Sequence, residues 1–330
     1  MNDEFDVQLD SLLDNLARLI PEQIAFIPRS ELEFILSDFV ISGGRRLRLD
    51  MEQWPTPEEQ EALRRFSNSW WPFFVAPDFP NVTEDQIRTL ALATTCFHLY
   101  TALVDQIVDK ANTCSAELIL ALSPILEHWF QLSAVLFDRH SSYWIYARQI
   151  QARLSRAMRD ERLRQPTTTL TLEAYLESCR GRVAFTCVNA IGLATLEGQI
   201  EHIPHLCDFW TRVSLSAVIH DDICDWMEDY CDKRYSYLHL QLLASPPFRA
   251  EVLAGTLPDI TELGIALFLS DLAETLYGVA DTEAQRAYSD IIGYGYQRHR
   301  EIGRRALDRV ESRRMALMER KMRLFLTIDL

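Results

Sequence analysis

Residues 221–229 read DDICDWMED, and this acidic stretch directly follows an apolar run over residues 213–219. The apolar run predicts a buried helix whose C-terminal end carries the acidic residues. On a helix Asp221, Asp225 and Asp229 lie four residues apart and share one face. Like charges at that spacing repel, and the helix macrodipole disfavours negative charge at a C-terminal end. The stretch therefore predicts a site for a hard divalent cation such as Mg²⁺, which takes carboxylate oxygen ligands.

A second predicted helix ends in the same way. Thr83 and Gln86 have the spacing of a capping box, and the long apolar helix after them carries Asp105 and Asp109 near its far end. A solvated ion pair with Lys110 is the alternative explanation for these carboxylates. Two helices that each end in unfavourable carboxylates predict two walls of one metal–phosphate site.

The composition favours a helical protein. The 330 residues include only eleven glycines, and no segment alternates between apolar and polar residues as a strand would. A formal charge of −15 excludes a general nucleic-acid binder. Seven cysteines without a CxxC pair predict reduced thiols in a cytoplasmic protein. We find no signal peptide and no apolar run long enough to cross a membrane, so no membrane span is expected.

The pattern of apolar runs and proline breaks predicts one all-α domain, residues 1–330, of about ten helices. No low-complexity linker divides the chain. Besides the helix that follows Thr83, the predicted helices cover residues 5–19, 30–41, 57–75, 115–138, 141–164, 171–197, 204–231, 234–244, 259–280 and 282–325, the last of them broken.

Four motifs together resemble the trans-isoprenyl diphosphate synthases and the class I terpene synthases. Residues 221–229, with the basic pair 233–234, resemble the second aspartate-rich motif of that superfamily. Residues 98–109 (HLYTALVDQIVD) resemble the first motif, which is a histidine, an apolar turn and then DDxxD. Residues 42–48 (SGGRRLR) resemble its GGKRLRP segment, and Arg182 stands where the family has a diphosphate-binding lysine. The motifs occur in the family's order and cover most of the chain.

The resemblance implies the isoprenoid synthase fold, an antiparallel helical bundle around a central apolar cavity. It also implies Mg²⁺-dependent ionisation of an allylic prenyl diphosphate, and assembly as a homodimer. The implied metal ligands are Asp105, Asp109, Asp221, Asp222, Asp225 and Asp229, and all but the last are counted as catalytic together with Arg182. The implied diphosphate-binding residues are Arg45, Arg46, Arg48, Arg180, Arg182, Lys233 and Arg234. The expected cavity lining is Phe97, Tyr100, Thr101, Phe185, Ser214, Ala217 and Val218.

The chain also departs from the family pattern. Gln106 replaces the second aspartate of the first motif, and residues 111–113 (ANT) replace the arginine pair of chain-elongating members. Residues 182–183 (RV) replace Lys-Thr, and Val218 replaces a glutamine. Several of these changes touch groups that hold isopentenyl diphosphate in the family, and none touches the machinery that ionises the allylic diphosphate. We therefore expect a terpene synthase. The alternatives are a chain-elongating prenyltransferase and prenyl transfer to an aromatic acceptor.

Alternatives outside the superfamily explain less of the sequence. His220-Asp221 matches the dyad of an HD-type phosphohydrolase, but Asp222 and Asp225 would then have no role. A non-catalytic helical scaffold would leave the acidic stretch as a surface face closed off by Lys233 and Arg234. Four C-terminal arginines are predicted to lie on a solvated helix face, and the alternative is that they close over the diphosphate. These are Arg298, Arg300, Arg304 and Arg305.

Overall fold

The computed structural model describes residues 71–109 and 116–327, which are helical with short turns and contain no strand within these ranges. The all-α prediction is therefore confirmed. The described α-helices are α1 (Trp71–Val75), α2 (Glu84–Asp109), α3 (Ala116–Leu136), α4 (Ser142–Arg162), α5 (Leu172–Arg182), α6 (Cys187–Glu197), α7 (Ile203–Cys224), α8 (Trp226–Cys231), α9 (Tyr237–Leu243), α10 (Pro246–Leu253), α11 (Ile260–Leu269), α12 (Leu272–Ile292) and α13 (Gln297–Thr327). The predicted helices 5–19 and 30–41, and most of 57–75, lie outside the described residues.

The helices form two compact units, which divide within α4. In the first unit α2 packs against α3 and α6, and α1 packs against α2 and α6. The Thr83 capping box is confirmed: its hydroxyl accepts the Gln86 N–H at 3.3 Å, and its own N–H donates to Gln86 Oε1 at 2.9 Å. Gly192 of α6 packs against the Leu90 side chain of α2, where an added Cβ would lie 2.4 Å from Leu90 Cδ1. A larger residue at this position would require the buried Leu90 side chain to shift.

The second unit contains residues 150–184 and 204 onward. Its core includes one face of α5 and of α7, with Tyr175, Leu215 and Ile219 almost fully buried. Helix α12 packs against α13, and α9 packs against both α10 and α11.

Several helix bounds differ from the prediction. The predicted helix 171–197 is interrupted by a 3-10 turn at Val183–Thr186, and helix 204–231 ends at Cys224 before α8 begins. The predicted break between 280 and 282 is wrong, because α12 continues to Ile292 and ends at Gly293. Helix α13 begins after the turn at residues 293–296, in which Gly295 has a φ of +76°. A left-handed glycine there stops α12 more effectively than the polar residues near 281 do.

Two further expectations are tested by the described residues. Six of the seven cysteines are described, and none of these six forms a disulfide bond, as expected for reduced thiols. Helix α2 passes a length and hydropathy test for a membrane span over Glu84–Asp105, with a mean hydropathy of 1.3. However, 61% of that window is buried within the protein, as in an ordinary core helix. The sequence analysis expected no apolar run long enough to cross a membrane, and by length and hydropathy α2 is such a run.

Candidate active site

The acidic stretch lies where α7 passes into α8. Asp221 and Asp222 are in the last turn of α7, and Asp225 is the residue between the two helices. The Asp225 N–H donates to the Asp221 carbonyl at 2.8 Å, and the Asp229 N–H donates to the Asp225 carbonyl at 2.9 Å. The helical hydrogen-bond spacing continues across the break. The sequence prediction that these three carboxylates share one face is therefore consistent with the backbone.

Asp222 differs from its neighbours because its side chain is only 6% exposed. The Tyr175 hydroxyl donates to its Oδ2 at 2.8 Å, and Arg182 Nη2 donates to the same oxygen at 2.9 Å. Arg182 Nη1 also donates to Oδ1 at 3.2 Å, so the contact with Arg182 is bidentate. Burial and the nearby Asp222 raise the pKa of Tyr175 well above its ordinary value, so its hydroxyl keeps the proton that it donates.

Arg182 is held by two acidic residues and not by Asp222 alone. Its Nη1 lies 3.1 Å from Glu161 Oε1 at the end of α4, and its Nη2 contacts Cys179 Sγ at 3.1 Å. The close packing of α5 on α4 permits these contacts, since a Cβ at Gly181 would lie 2.6 Å from Ala157 Cβ. The guanidinium is therefore committed to protein partners through both of its terminal nitrogens.

The remaining carboxylates of the stretch are less compensated. Partial desolvation raises the pKa of Asp221 to about 6, although the residue is exposed at the surface. The nearby Asp225 and Asp222 charges add to the effect, while Arg313 opposes it. Burial likewise raises the pKa of Asp229 to about 7, opposed mainly by Arg234. A raised carboxyl pKa means that the ionised form lacks sufficient positive charge around it. An added cation would stabilise that form.

These residues fit a hard divalent cation that is shared with a ligand. Within the described ranges, no three His, Cys, Asp or Glu side chains are grouped closely enough to hold a metal ion. Mg²⁺ commonly takes one or two protein carboxylates and completes its shell with water and phosphate oxygens. The exposed pair Asp221 and Asp225 supplies that kind of partial shell, whereas a cage made only of protein ligands is absent from the described part of the chain.

A tight turn follows α8 and carries the predicted basic pair. The Lys233 N–H donates to the Tyr230 carbonyl, and the Arg234 N–H donates to the Asp229 carbonyl, which together make a Schellman motif. Lys233 has a φ of +60°, in the left-handed region that favours glycine. Its side chain is exposed, as a group that meets a ligand would be. Arg234 instead lies 3.0 Å from Asp229 and offsets part of its negative charge.

The other predicted diphosphate-binding residues have different positions. Arg180 lies 3.5 Å from the buried Glu283 and 3.6 Å from Glu177, so it belongs to an ion-pair cluster that also includes Arg212. Arg45, Arg46 and Arg48 lie outside the described residues.

The first acidic motif belongs to the first unit. Asp105 is exposed in the last turn of α2, and no basic residue stands in that turn. The backbone of Asp109 ends the helix, while its side chain and that of Gln106 lie outside the described residues. The prediction that these carboxylates face Asp221 and Asp225 stays a prediction.

The predicted cavity residues of the first unit lie on or near α2. Phe97 is fully buried, with its ring centroid 4.5 Å from that of Trp129, and Phe185 stands edge-on to His98 at 5.1 Å. Thr101 is buried and donates to the His98 carbonyl at 2.7 Å, and Tyr100 is half-buried.

The three predicted cavity residues of the second unit lie on α7. Ser214, Ala217 and Val218 are half-buried, and Val218 packs against the core of that unit. The described contacts account for their packing, and their role as a cavity lining stays a prediction.

The fold was compared with solved structures. Geranylgeranyl pyrophosphate synthase from Lactobacillus brevis, complexed with citrate, is similar with a TM-score of 0.70 at 18% identity over 93% of this chain and 96% of that chain. A polyprenyl synthase from Caulobacter crescentus, complexed with calcium and isoprenyl diphosphate, has a TM-score of 0.64 at 16% identity over 92% and 98%. Octaprenyl pyrophosphate synthase from Helicobacter pylori has a TM-score of 0.62 at 13% identity over 93% and 99%.

The chain has the isoprenoid synthase fold. The sequence motifs led to the same superfamily, so that resemblance is confirmed at the level of the fold. No family model matches the chain, and no curated protein is significantly similar to it. All three similar structures are prenyl or prenyl pyrophosphate synthases by name, and none of the three is named as a terpene cyclase.

Sequence reasoning missed two arginines within this isoprenoid synthase fold. Arg309 and Arg313 of α13 lie close enough to His220 to lower its pKa to about 4, an effect that is due first to burial. Arg313 also acts on Asp221, and its Nη1 is buried without a hydrogen-bond partner among the described residues. Burial, with Arg313 and Arg305 nearby, lowers the pKa of Arg309 to about 10.

The C-terminal arginines chosen from the sequence are occupied elsewhere. Arg298 and Arg305 both pair with Glu301, and Arg300 lies over the ring of Tyr288. The spacing 305, 309, 313 was the available signal, because residues four apart share a helix face. Another missed residue is Tyr175, which lies seven positions before Arg182 on α5 and so faces the same side.

Proposed function

We propose that this protein is a Mg²⁺-dependent prenyltransferase that ionises an allylic prenyl diphosphate and joins the prenyl group to isopentenyl diphosphate. The single observation that carries the proposal is the exposed carboxylate pair Asp221 and Asp225 at the end of α7, where Arg313 of α13 lies close enough to Asp221 for their charges to interact. Opposite charges arranged in this way suit a ligand made of a cation and a diphosphate. The fold, together with the similarity to a polyprenyl synthase and a geranylgeranyl pyrophosphate synthase, supports the same chemistry.

The residues proposed to hold Mg²⁺ in the second unit are Asp221 and Asp225. The role of Asp105 and Asp109 of the first unit as metal ligands stays a prediction from the sequence. Bound Mg²⁺ would act as a Lewis acid that stabilises negative charge on the departing diphosphate. The polyprenyl synthase solved with calcium and isoprenyl diphosphate supports the use of a divalent metal in this fold.

Arg309 and Arg313 are proposed to bind the diphosphate from α13. Guanidinium groups form strong hydrogen bonds with phosphate oxygens, and preorganised donors lower the barrier where charge develops. Lys233 adds an exposed cation at the other side of the acidic stretch. Arg45, Arg46 and Arg48 are proposed to hold the second diphosphate, as the GGKRLRP resemblance implies.

In the proposed reaction the allylic C–O bond breaks and its electron pair leaves with the diphosphate. The double bond of isopentenyl diphosphate then supplies the electron pair for the new C–C bond, and loss of a proton restores a double bond. Apolar and aromatic side chains around the prenyl chain would exclude water and stabilise the cation. Phe97 and Phe185 are the proposed aromatic groups of the first unit.

Cyclisation of the prenyl cation is the second candidate, and it was the function expected from the sequence. The observation that favours it is the loss of the arginine pair at residues 111–113 together with Gln106. The similar solved structures favour elongation instead, and for that reason elongation is proposed first.

A product assay separates the two candidates. The full chain is incubated with Mg²⁺ and geranyl, farnesyl or geranylgeranyl diphosphate, with and without isopentenyl diphosphate, and products are analysed by gas chromatography before and after phosphatase treatment. Longer prenyl alcohols that need isopentenyl diphosphate support elongation, whereas hydrocarbons formed without it support cyclisation. No conversion, together with no Mg²⁺-dependent binding of inorganic diphosphate by calorimetry, would overturn the proposal.

A further inference from the structure

The acidic stretch contains two kinds of carboxylate. Asp222 is almost fully buried and receives hydrogen bonds from Tyr175 and from both terminal nitrogens of Arg182. Asp221 and Asp225 are exposed, and within the described part of the chain their carboxylates form no ion pair and accept no hydrogen bond. Residues that look equivalent in the sequence therefore have different surroundings.

A metal ion has little access to the Asp222 carboxylate. Its two oxygens offer about four lone-pair positions, and the Tyr175 and Arg182 contacts occupy most of them. To ligate a cation, Asp222 would have to release Arg182 and leave a largely buried guanidinium without one of its counter-charges. Breaking a buried pair in this way is strongly unfavourable.

The contacts of Asp222 reach three helices. Tyr175 and Arg182 belong to α5, and Arg182 also contacts Glu161 on α4 at 3.1 Å. Tyr175 is itself fixed by burial and by stacking on Tyr237, with ring centroids 5.3 Å apart. The network therefore fastens the last turn of α7 to α5 and α4, which sets the direction in which the adjacent Asp221 and Asp225 project.

We propose that Asp222 and Tyr175 are positioning residues: Arg182 and Tyr175 hold Asp222, and the cation is bound by Asp221 and Asp225 without it. This inference rests on the proposed metal-dependent function and divides the acidic stretch into ligands and an anchor. It differs from the sequence prediction, in which Asp222 is a metal ligand and Arg182 binds diphosphate. Tyr175 has no role in that prediction.

The test uses the full chain and three variants: Asp225→Asn removes a proposed ligand, Asp222→Asn removes the anchor, and Tyr175→Phe removes one hydrogen bond from the anchor. Mn²⁺ alone is the first probe, with its binding followed by electron paramagnetic resonance. Turnover of an allylic diphosphate against Mg²⁺ concentration is the second. Circular dichroism and thermal melting establish which variants are folded.

We expect Asp225→Asn to weaken Mn²⁺ binding by at least about tenfold, because a charged oxygen ligand is lost. Asp222→Asn and Tyr175→Phe should change Mn²⁺ affinity by less than about threefold, yet lower kcat by roughly tenfold or more through misplacement of the end of α7. A purely structural role would lower the amount of folded protein and leave the kcat of the folded fraction unchanged.

Several results would overturn the inference. It fails if Asp222→Asn weakens Mn²⁺ binding as much as Asp225→Asn does. If Asp222→Asn does not fold, Tyr175→Phe decides, and wild-type kcat in that variant overturns the positioning role. If wild-type protein converts the diphosphate while Asp222→Asn loses Mn²⁺, only this inference fails. If wild-type protein binds neither Mn²⁺ nor Mg²⁺ with diphosphate, the proposed function fails with it.

Discussion

The N–H of Arg234 donates to the carbonyl of Asp229 at 2.7 Å, and the side chains of the same two residues form an ion pair at 3.0 Å. These two contacts stabilise the turn that ends α8 and keep Arg234 next to the acidic stretch. It also requires the intervening Lys233 to adopt a left-handed conformation, with a φ of +60°. A lysine in the left-handed conformation costs conformational free energy that glycine would not. A functional role for the lysine side chain would explain why it is present here.

Lys233→Gly should raise the free energy of unfolding by about 1 kcal/mol, because glycine adopts the left-handed conformation without a Cβ clash. Urea denaturation measures the change. Lys233→Asn is the control, since asparagine tolerates this conformation and also lacks the charge. Both variants should bind inorganic diphosphate with Mg²⁺ more weakly than wild type. A wild-type affinity in both would remove Lys233 from the binding site.

Glu283 tests the value of a buried ion pair. Its carboxylate is buried, with Arg212 Nη1 at 2.6 Å and Arg180 Nη2 at 3.5 Å. Arg286 Nη1 also lies 3.4 Å from it. Glu283→Ala should destabilise the protein by about 3–5 kcal/mol, because three arginines lose a desolvated partner.

Asp208→Ala is the matched control for Glu283→Ala, since Asp208 pairs with the same Arg212 at 2.7 Å but is exposed. It should cost at most about 1 kcal/mol. Chemical denaturation measures the free energy of unfolding of both variants. Equal losses in the two would contradict a larger contribution of the buried Glu283 to stability.

Gly192 tests the contact between α2 and α6. Gly192→Ala would bring a Cβ to 2.4 Å from Leu90 Cδ1 in a fully buried position, and we expect a loss of about 1–3 kcal/mol. Gly278→Ala is the control, because Gly278 is an exposed helical residue with no atom within 4 Å of an added Cβ. That change should stabilise α12 by about 0.5–1 kcal/mol. A lower melting temperature for Gly192→Ala and a higher one for Gly278→Ala would support both statements.

His98 should make stability depend on pH. Burial lowers its pKa from 6.5 to about 4, and a backbone hydrogen bond with Phe185 opposes the shift only in part. Between pH 4 and 6.5 the unfolded chain therefore binds the proton more tightly than the folded protein. The contribution of His98 to stability is intact above pH 6.5 and decreases as the pH falls toward 4.

The variant His98→Leu isolates this effect. Between pH 7 and pH 4, wild type should lose on the order of 3 kcal/mol of unfolding free energy relative to His98→Leu. Groups with shifted pKa values elsewhere, such as Asp221 and His239, are common to both proteins and cancel in the comparison. Urea denaturation at each pH measures the unfolding free energy of both proteins. An equal difference between wild type and His98→Leu at pH 7 and at pH 4 would contradict a neutral, buried His98.

Much of the fold could be predicted from the sequence because its signals are local. The capping box at Thr83 and the apolar run before Asp221 depend on residues within a few turns of each other, so α2 and α7 were expected near their observed positions. The interruption at Val183–Thr186 and the end of α12 depend on packing and on the left-handed Gly295, and there the predicted bounds were wrong.

The acidic stretch and its spacing were set by the sequence alone, since a helix aligns residues four apart wherever it lies. Which of those carboxylates carries a counter-charge was decided only by the tertiary structure. The donors to Asp222 come from Tyr175 and Arg182, 47 and 40 residues away along the chain. Burial and charge compensation depend on such distant neighbours, and a local pattern of aspartates contains no information about them.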